Sequence, residues 1–404
     1  MHILFLADTI DNQNAGVHFY TKHLIQALLK LDKKNRYSFI HQKENVFFKD
    51  TEHYIIPSSK GLGKESYRRI FKIPKLIKKL KPDIVVEPAH IGPFNIPKSI
   101  KRVTIIYDLT PIIFSKFHIK RSWVIHKLLL GKVIRNASLL IAISENTKND
   151  ILKLYKTNAK IEGIYPGISA PNLVTPELKE AGLSQIKSPY LLYVGTIEPR
   201  KNLNLLVDAF LELKSEHNLP HSLVLAGGIG WKIKPLLNRL KNHQKDIILT
   251  GYITEEQKAS LYKHADTLIY PSLYEGFGLP PLEAMSYGIP VICSTGGSLK
   301  EIFSNHALMF EPNDKETLKK HILSVIPVPS VIPAKAGIYG KSVRECIDSR
   351  FRGNDTERET DSFRQSLIKN GLAYSKTFTW EKTAEETIKA FEEITPTHSF
   401  SLSK

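Results

Sequence analysis

Residues 274–285 read Tyr274-Glu275-Gly276-Phe277-Gly278-Leu279-Pro280-Pro281-Leu282-Glu283-Ala284-Met285. The order of residue types joins a buried strand to a helix through a glycine-bent turn. The strand is the preceding Thr267-Leu268-Ile269-Tyr270-Pro271. Gly276 and Gly278 let the backbone turn tightly and approach a ligand without interference from a Cβ. Pro280 and Pro281 suit a first helical turn, where a missing N–H is least felt. Free N–H groups and the positive dipole end at that start predict an anion site fitted to a diphosphate. Glu275 in the loop and Glu283 just inside the helix are expected at opposite ends of one ligand. Carboxylates accept hydrogen bonds from sugar hydroxyls, so the pattern suits a nucleotide-sugar better than a bare nucleotide. An ordinary strand–turn–helix with surface glutamates is the other reading of the same residues.

The chain has 404 residues, more than one core usually serves, so two domains are expected. A hydrophobic content of 42% is enough to fill them. Cys293 and Cys346 are the two cysteines, far apart and without ligand spacing. They argue for a reducing compartment, hence a cytoplasmic protein, and against a structural metal. The apolar start, Met1 to Asp8, is short and lacks a positive leader, so it reads as a first strand. No run of 18 apolar residues occurs, and nothing is expected to span a bilayer.

The formal net charge is +17, and residues 60–81 carry nine Lys or Arg against the single acid Glu65. From Pro74, Leu76, Ile77 and Leu80 fall at helical spacing with Lys75, Lys78 and Lys79 around them. A basic amphipathic helix of this kind suits peripheral contact with an anionic membrane. A solvated lysine-rich face is the alternative. Nucleic acid is set aside on the expectation that no aromatic residues interleave the basic run.

Apolar runs alternate with helical patterns, the sign of a parallel α/β sheet with crossover helices. Strands are expected at 2–7, 37–41, 84–87, 103–107, 139–143 and 161–165, with a helix at 17–31 lined by Leu24, Leu28 and Leu31. Tyr165-Pro166-Gly167 and the loop to Pro189 read as a linker. The second half predicts strands at 190–194, 223–226, 247–250, 267–270, 290–293 and 308–310. Residues 327–362 break the pattern with three prolines and a mixed-charge stretch lacking periodicity. They are expected to be an inserted surface loop between helices near 315–326 and 363–378, tolerated because closure entropy grows slowly with length. Val331 to Ile338 and Asp348 to Asp355 resemble translated bacterial palindromic repeats. A small regulatory module is the rival reading.

The segment 275–283 resembles the Glu-x7-Glu motif of retaining glycosyltransferases with the GT-B fold, family 4 (group 1) in particular. Tyr193-Val194-Gly195-Thr196-Ile197-Glu198-Pro199-Arg200-Lys201-Asn202 is similar to that family's diphosphate strand and loop. Gly288-Ile289-Pro290-Val291-Ile292, Ala265-Asp266 and Phe378-Thr379-Trp380 also fit. The resemblance implies two Rossmann-like domains facing across a cleft. Residues 1–170 would be the acceptor side and 171–375 the nucleotide-sugar side, with 376–404 crossing back through a helix at 380–394.

The resemblance also implies roles. Arg200 and Lys201 form a cationic cradle for the diphosphate, bidentate and point-like in turn. A basic pair that merely opened a helix would oppose its dipole. Thr196 stands where many relatives carry an arginine. Glu275 would hold hydroxyls of the transferred sugar, near the N–H groups of Phe277, Gly278 and Leu279, and Glu283 the donor ribose. Gly227 and Gly228 close another strand end, as a plain turn or a ligand loop, and Tyr252 is expected near the base. In the first half, Gly16 lies in the loop under the diphosphate. Tyr107 replaces a histidine, so that histidine's role does not carry over. Asp108 either relays the acceptor proton or caps a strand–helix loop. Ser144 and Glu145 are expected near the acceptor.

The chain is thus expected to move a sugar, mannose first, from a nucleoside diphosphate to a glycan or lipid-linked acceptor in surface polysaccharide or lipopolysaccharide assembly. Retention of the anomer follows from the resemblance. No metal or other cofactor is expected, because no Asp-x-Asp occurs to hold a metal-bound diphosphate. The competing readings are a sugar-nucleotide epimerase of the same fold and a non-catalytic nucleotide-sugar or polyanion binder.

Overall fold

The structure is a computed structural model that describes residues 1–12, 15–58, 64–89, 95–117, 120–171, 175–326 and 356–395. They fall into two compact units, one made of the described residues within 1–167 and 378–395, the other of those within 168–377. The first holds seven strands: β1 (His2–Leu6), β2 (Arg36–His41), β3 (Glu52–Ile55), β4 (Ile84–Glu87), β5 (Lys101–Ile106), β6 (Leu139–Ala142) and β7 (Lys160–Gly163). Their order is β3-β2-β1-β4-β5-β6-β7, all parallel. The second holds β8 (Tyr190–Val194), β9 (Ser222–Ala226), β10 (Ile247–Gly251), β11 (Thr267–Tyr270), β12 (Val291–Ser294) and β13 (Leu308–Phe310). Their order is β10-β9-β8-β11-β12-β13, again parallel. Each is a Rossmann-like sheet, and each reverses direction beside its first strand, at β1/β4 and β8/β11. Open sheets of this kind bind ligands beyond the carboxyl ends at that reversal.

Ile3, Leu4, Phe5, Ile84, Val85, Val86 and 139–142 are fully buried. Such unbroken apolar runs arise where helices cover both faces of a parallel sheet. β3 was not expected: Glu-His-Tyr-Ile at a sheet edge is only half-buried and carries no apolar run. The first long helix is Ala15–Leu31, with Tyr20, Leu24 and Leu28 inside and Leu31 38% exposed. β7 ends at Gly163, two residues short of expectation. Residues 327–355 of the expected insertion lie outside the described residues. A helix Thr356–Ser375 already occupies the span's last seven positions, so the loop reading is wrong there.

Helix Trp380–Ile394 belongs to the first unit. The Trp380 indole stacks on His23 at 5.5 Å and meets Tyr20 edge-on at 5.4 Å. A Cβ on Gly167 would lie 2.3 Å from the Trp380 nitrogen, so only glycine fits where the chain leaves this unit.

The basic segment needs two corrections. Its apolar stripe is occupied: Ile73 and Ile77 are buried with Leu4, Leu6, Ile40, Val85 and Ile100, and Leu76 and Leu80 pack against them. That stripe cannot also enter a bilayer. Tyr67 and Phe71 do interleave the basic run, 55% and 57% exposed, contrary to the expectation on which nucleic acid was set aside. Among the described residues no helix is long and apolar enough to cross a membrane.

Candidate active site

The site is assembled from the loops after β8 and β11, neighbours at the reversal point of the second sheet. After β8, Gly195 adopts φ 149°, and Pro199 opens a single 3₁₀ turn, Pro199–Lys201. Asn202 closes it in the left-handed region and its side chain donates to the Pro312 carbonyl at 2.7 Å. Helix Leu203–His217 starts only after that. Arg200 and Lys201 therefore precede the helix, and the expected conflict with its dipole does not arise. The β11 loop is stitched to this turn by Leu273 N–H donating to the Arg200 carbonyl at 2.8 Å.

Glu275 is fixed through its backbone. Its carbonyl accepts from the N–H and hydroxyl of Ser298, both at 3.0 Å, and its N–H donates to the Gly296 carbonyl. Gly297 has φ 64°, and a Cβ there would sit 2.5 Å from the Glu275 carbonyl oxygen. Helix Leu279–Ser286 follows, with Gly278 at φ 115° supplying no side-chain cap and prolines in the first turn. Pro280 and Pro281 carry no N–H and Leu282 N–H donates to the Gly278 carbonyl, so the Leu279 N–H is the donor this first turn leaves for an anion.

The structure brings Arg200, Lys201 and Glu275 together. Lys201 Nζ donates to Glu275 Oε1 at 2.5 Å and to the Tyr270 hydroxyl at 3.0 Å. Arg200 Nη1 donates to Glu275 Oε2 at 2.8 Å and to the Tyr274 carbonyl at 2.6 Å. Arg200 Nη2 donates to Glu198 Oε1 at 2.7 Å. Lys201 and Glu275 are each 7% exposed and Glu198 5%. Two carboxylates balance two cations, so the expected cationic cradle is a neutral network in which one guanidinium is gripped from both sides.

Burial alone would raise the Glu275 carboxyl, but Arg200 and Lys201 outweigh it and bring the group down to about 2. Burial lowers the Lys201 ammonium from its ordinary value, against the pull of Glu275. A depressed folded carboxyl stabilises above its unfolded value, here 4.5, and that contribution disappears as pH falls toward about 2. The whole shift corresponds to roughly 3 kcal/mol. Urea unfolding from neutral pH down to about pH 3 is expected to lose part of this in the wild type. The Glu275→Gln protein should show a flatter slope; parallel slopes would refute the assignment.

Glu283 keeps other company. Its carboxylate accepts from Lys258 Nζ at 3.0 Å and from the Tyr262 hydroxyl at 2.9 Å. Lys258 is raised to about 12, burial opposing its charge while Glu283 and Glu255 prevail. Gly227 is required by close backbone packing, since a Cβ would meet the Gly195 carbonyl oxygen at 2.1 Å, whereas Gly228 opens on free space. The Thr196 carbonyl accepts from the Tyr193 hydroxyl at 3.2 Å, and Tyr252 is 78% exposed.

The remaining expected residues are in the first unit. Gly16 is exposed, with nothing near its missing Cβ. Asp108 Oδ1 accepts from the N–H and hydroxyl of Thr110, at 2.9 and 2.6 Å, which is the local capping alternative. The Tyr107 ring meets Tyr20 edge-on at 5.3 Å, joining the Trp380 cluster. Ser144 caps helix Glu145–Leu154 by accepting from Thr147 N–H.

Sequence reasoning missed Glu198, Tyr270, Lys258, Tyr262 and the Gly296-Gly297-Ser298 loop. A glycine pair one residue past the buried strand Val291–Ser294 was the available signal for the last. Among the described residues no cluster of three or more His, Cys, Asp or Glu is gathered as for a metal ion.

The profile "Glycosyl transferases group 1" matches residues 174–340, and "Glycosyltransferase Family 4" matches 15–170. The chain is 30% identical over 321 residues to O-antigen chain mannosyltransferase B of Escherichia coli, covering 74% of this chain and 73% of that protein. It is 26% identical over 286 residues to O-antigen chain mannosyltransferase RfbU of Salmonella typhimurium, covering 70% and 72%. Sucrose-phosphate synthase from Thermosynechococcus elongatus shares the fold, with TM-score 0.70 at 17% identity over 98% of this chain and 99% of that one. So does WaaG, a glycosyltransferase of lipopolysaccharide biosynthesis, with TM-score 0.67 at 15% identity over 97% and 100%. By these matches the chain belongs to the GT-B glycosyltransferases, with a family 4 region in its first half and a group 1 region in its second.

Proposed function

We propose that this enzyme moves a hexose, mannose before others, from a nucleoside-diphosphate sugar to a hydroxyl of a glycan or lipid-linked acceptor, with retention. The setting is bacterial surface-polysaccharide assembly at the inner face of the cell membrane. The observation that carries the reading is the buried Arg200–Glu275–Lys201 pairing beside an uncapped, glycine-bent helix start. The mannosyltransferase relatives support the sugar, and the HepE protein of Anabaena, solved with UDP and glucose, shares the fold.

In this reading the bond from the sugar C1 to the phosphate oxygen breaks as the bond from C1 to the acceptor oxygen forms on the same face. The acceptor proton goes to the departing phosphate. Charge grows on the diphosphate, so Arg200 and Lys201 turn toward it with the N–H groups near Phe277, Gly278 and Leu279. Glu275, partly released, then accepts from the sugar hydroxyls. Glu283, held ready by Lys258 and Tyr262, takes the ribose, while Thr196, Gly227, Gly228 and Tyr252 line the nucleotide.

Thermal-shift titration with GDP-, UDP-, ADP- and dTDP-sugars tests this. Lys201→Ala should weaken stabilisation by every donor, by about 1.5–3 kcal/mol for a lost charged hydrogen bond. Shifts equal to wild type would count against the site. Anomer analysis of the product by NMR tests retention. Donor consumption without acceptor would favour the epimerase, and binding without turnover a non-catalytic role.

A further inference from the structure

Two tyrosines stand against the pairing of Arg200, Glu275 and Lys201. Tyr193 in β8 and Tyr270 at the end of β11 belong to neighbouring strands and are 0% and 2% exposed. Their rings stack with centroids 5.9 Å apart and planes at 16°. A buried phenol needs a partner for its hydroxyl. That of Tyr193 donates to the Thr196 carbonyl at 3.2 Å and so serves its own loop. That of Tyr270 accepts from Lys201 Nζ at 3.0 Å, and its own proton is directed to the Glu275 carboxylate. Lys201 Nζ also lies 5.2 Å from the centre of the Tyr270 ring, within reach of cation–π attraction. One side chain thus grips the ammonium by its oxygen and by its face.

The two cations differ in what stays with them once Glu275 turns to a sugar. Arg200 keeps the Glu198 carboxylate at 2.7 Å, so its charge is already matched. Lys201 keeps a phenol, which burial and the charge of Glu275 hold neutral by raising its ionisation well above the ordinary value. An ammonium on a neutral acceptor retains its whole charge for a ligand. Burial lowers the Lys201 ammonium from its ordinary value, so with Glu275 occupied elsewhere an acceptor is needed to hold the proton. Glu198 and Arg200 in its own turn, and Glu275 after β11, also act on this group.

We propose that Tyr270 is a positioning residue of the transfer reaction: its hydroxyl keeps Lys201 charged and aimed at the diphosphate while Glu275 is engaged with the sugar. This deepens the proposed function and rests on that reading for the identity of the ligand.

Tyr270→Phe tests it, because phenylalanine keeps the stacked ring and the cation–π contact and removes one oxygen. On the alkaline side kcat/KM should fall as Lys201 loses its proton, and in the variant that fall is expected about one pH unit lower. The plateau should drop about tenfold, mainly through kcat, with KM for the acceptor unchanged. Melting without donor should stay close to wild type, since Glu275 still holds Lys201 in the resting protein. Tyr193→Phe, which removes the hydroxyl directed to Thr196, should leave the alkaline fall in place. Nitrogen NMR titration of the Lys201 ammonium with a nucleoside diphosphate bound reads the same displacement without turnover. Sugar transfer by the wild type with neither readout moved in Tyr270→Phe would overturn this inference alone, as would an equal displacement in Tyr193→Phe. A wild-type protein that binds no nucleoside diphosphate would overturn the reading of the site and this inference with it.

Discussion

Glu275→Ala is expected to abolish sugar transfer and to destabilise the second unit by about 3–5 kcal/mol, the usual consequence of breaking a buried ion pair from one side. The loss would take away the carboxylate that Lys201 Nζ donates to and leave it the Tyr270 hydroxyl. Arg200 would keep Glu198 and the Tyr274 carbonyl but lose the Glu275 carboxylate. Glu275→Gln separates the two effects: it preserves the shape and one acceptor oxygen while removing the charge. It should fold better than the alanine variant yet remain inactive. Urea unfolding and initial-rate measurements on both proteins decide it. A stable, active alanine variant would remove Glu275 from both the structural and the chemical account.

Gly227→Ala is expected to cost about 2–5 kcal/mol, combining strain in a glycine-only conformation with overpacking. Its φ is 145°, and the new Cβ would face the oxygen and carbon of the Gly195 peptide at 2.1 and 2.7 Å. Both obstacles are backbone, so no side chain can swing aside. The neighbouring Gly228→Ala meets nothing within 4 Å and should leave the melting temperature nearly unchanged. Should Gly228 line the donor pocket as proposed, its variant will raise KM for donor while folding normally. Equal melting temperatures for the two variants would show that the contact at Gly227 relaxes freely.

The sheets were legible because parallel strands buried on both faces leave unbroken apolar runs, as at 139–142 and 190–194. β3 was hidden because an edge strand of mixed polarity carries no such mark. The glycine-bent entrance of helix Leu279–Ser286 could be read from local residue types alone. The partners of its two glutamates could not. Arg200 and Lys201 stand 75 and 74 positions from Glu275, and Lys258 stands 25 from Glu283, so only the sheet order makes them neighbours. Net neutrality of the network followed from Glu198, which reads in sequence as one more loop acid. The lysine run was visible, but which of its sides faced inward depended on Arg68 finding Asp8 across 60 residues.

Because Trp380 fills the space between His23 and Tyr20, the amino-terminal half is synthesised first but completed last. On the ribosome the whole 168–377 unit emerges and can close around its own sheet while the earlier one still waits for its final helix. A nascent chain stalled before residue 380 would therefore expose an unfilled aromatic seat, making truncated products of this gene targets for chaperones and proteases.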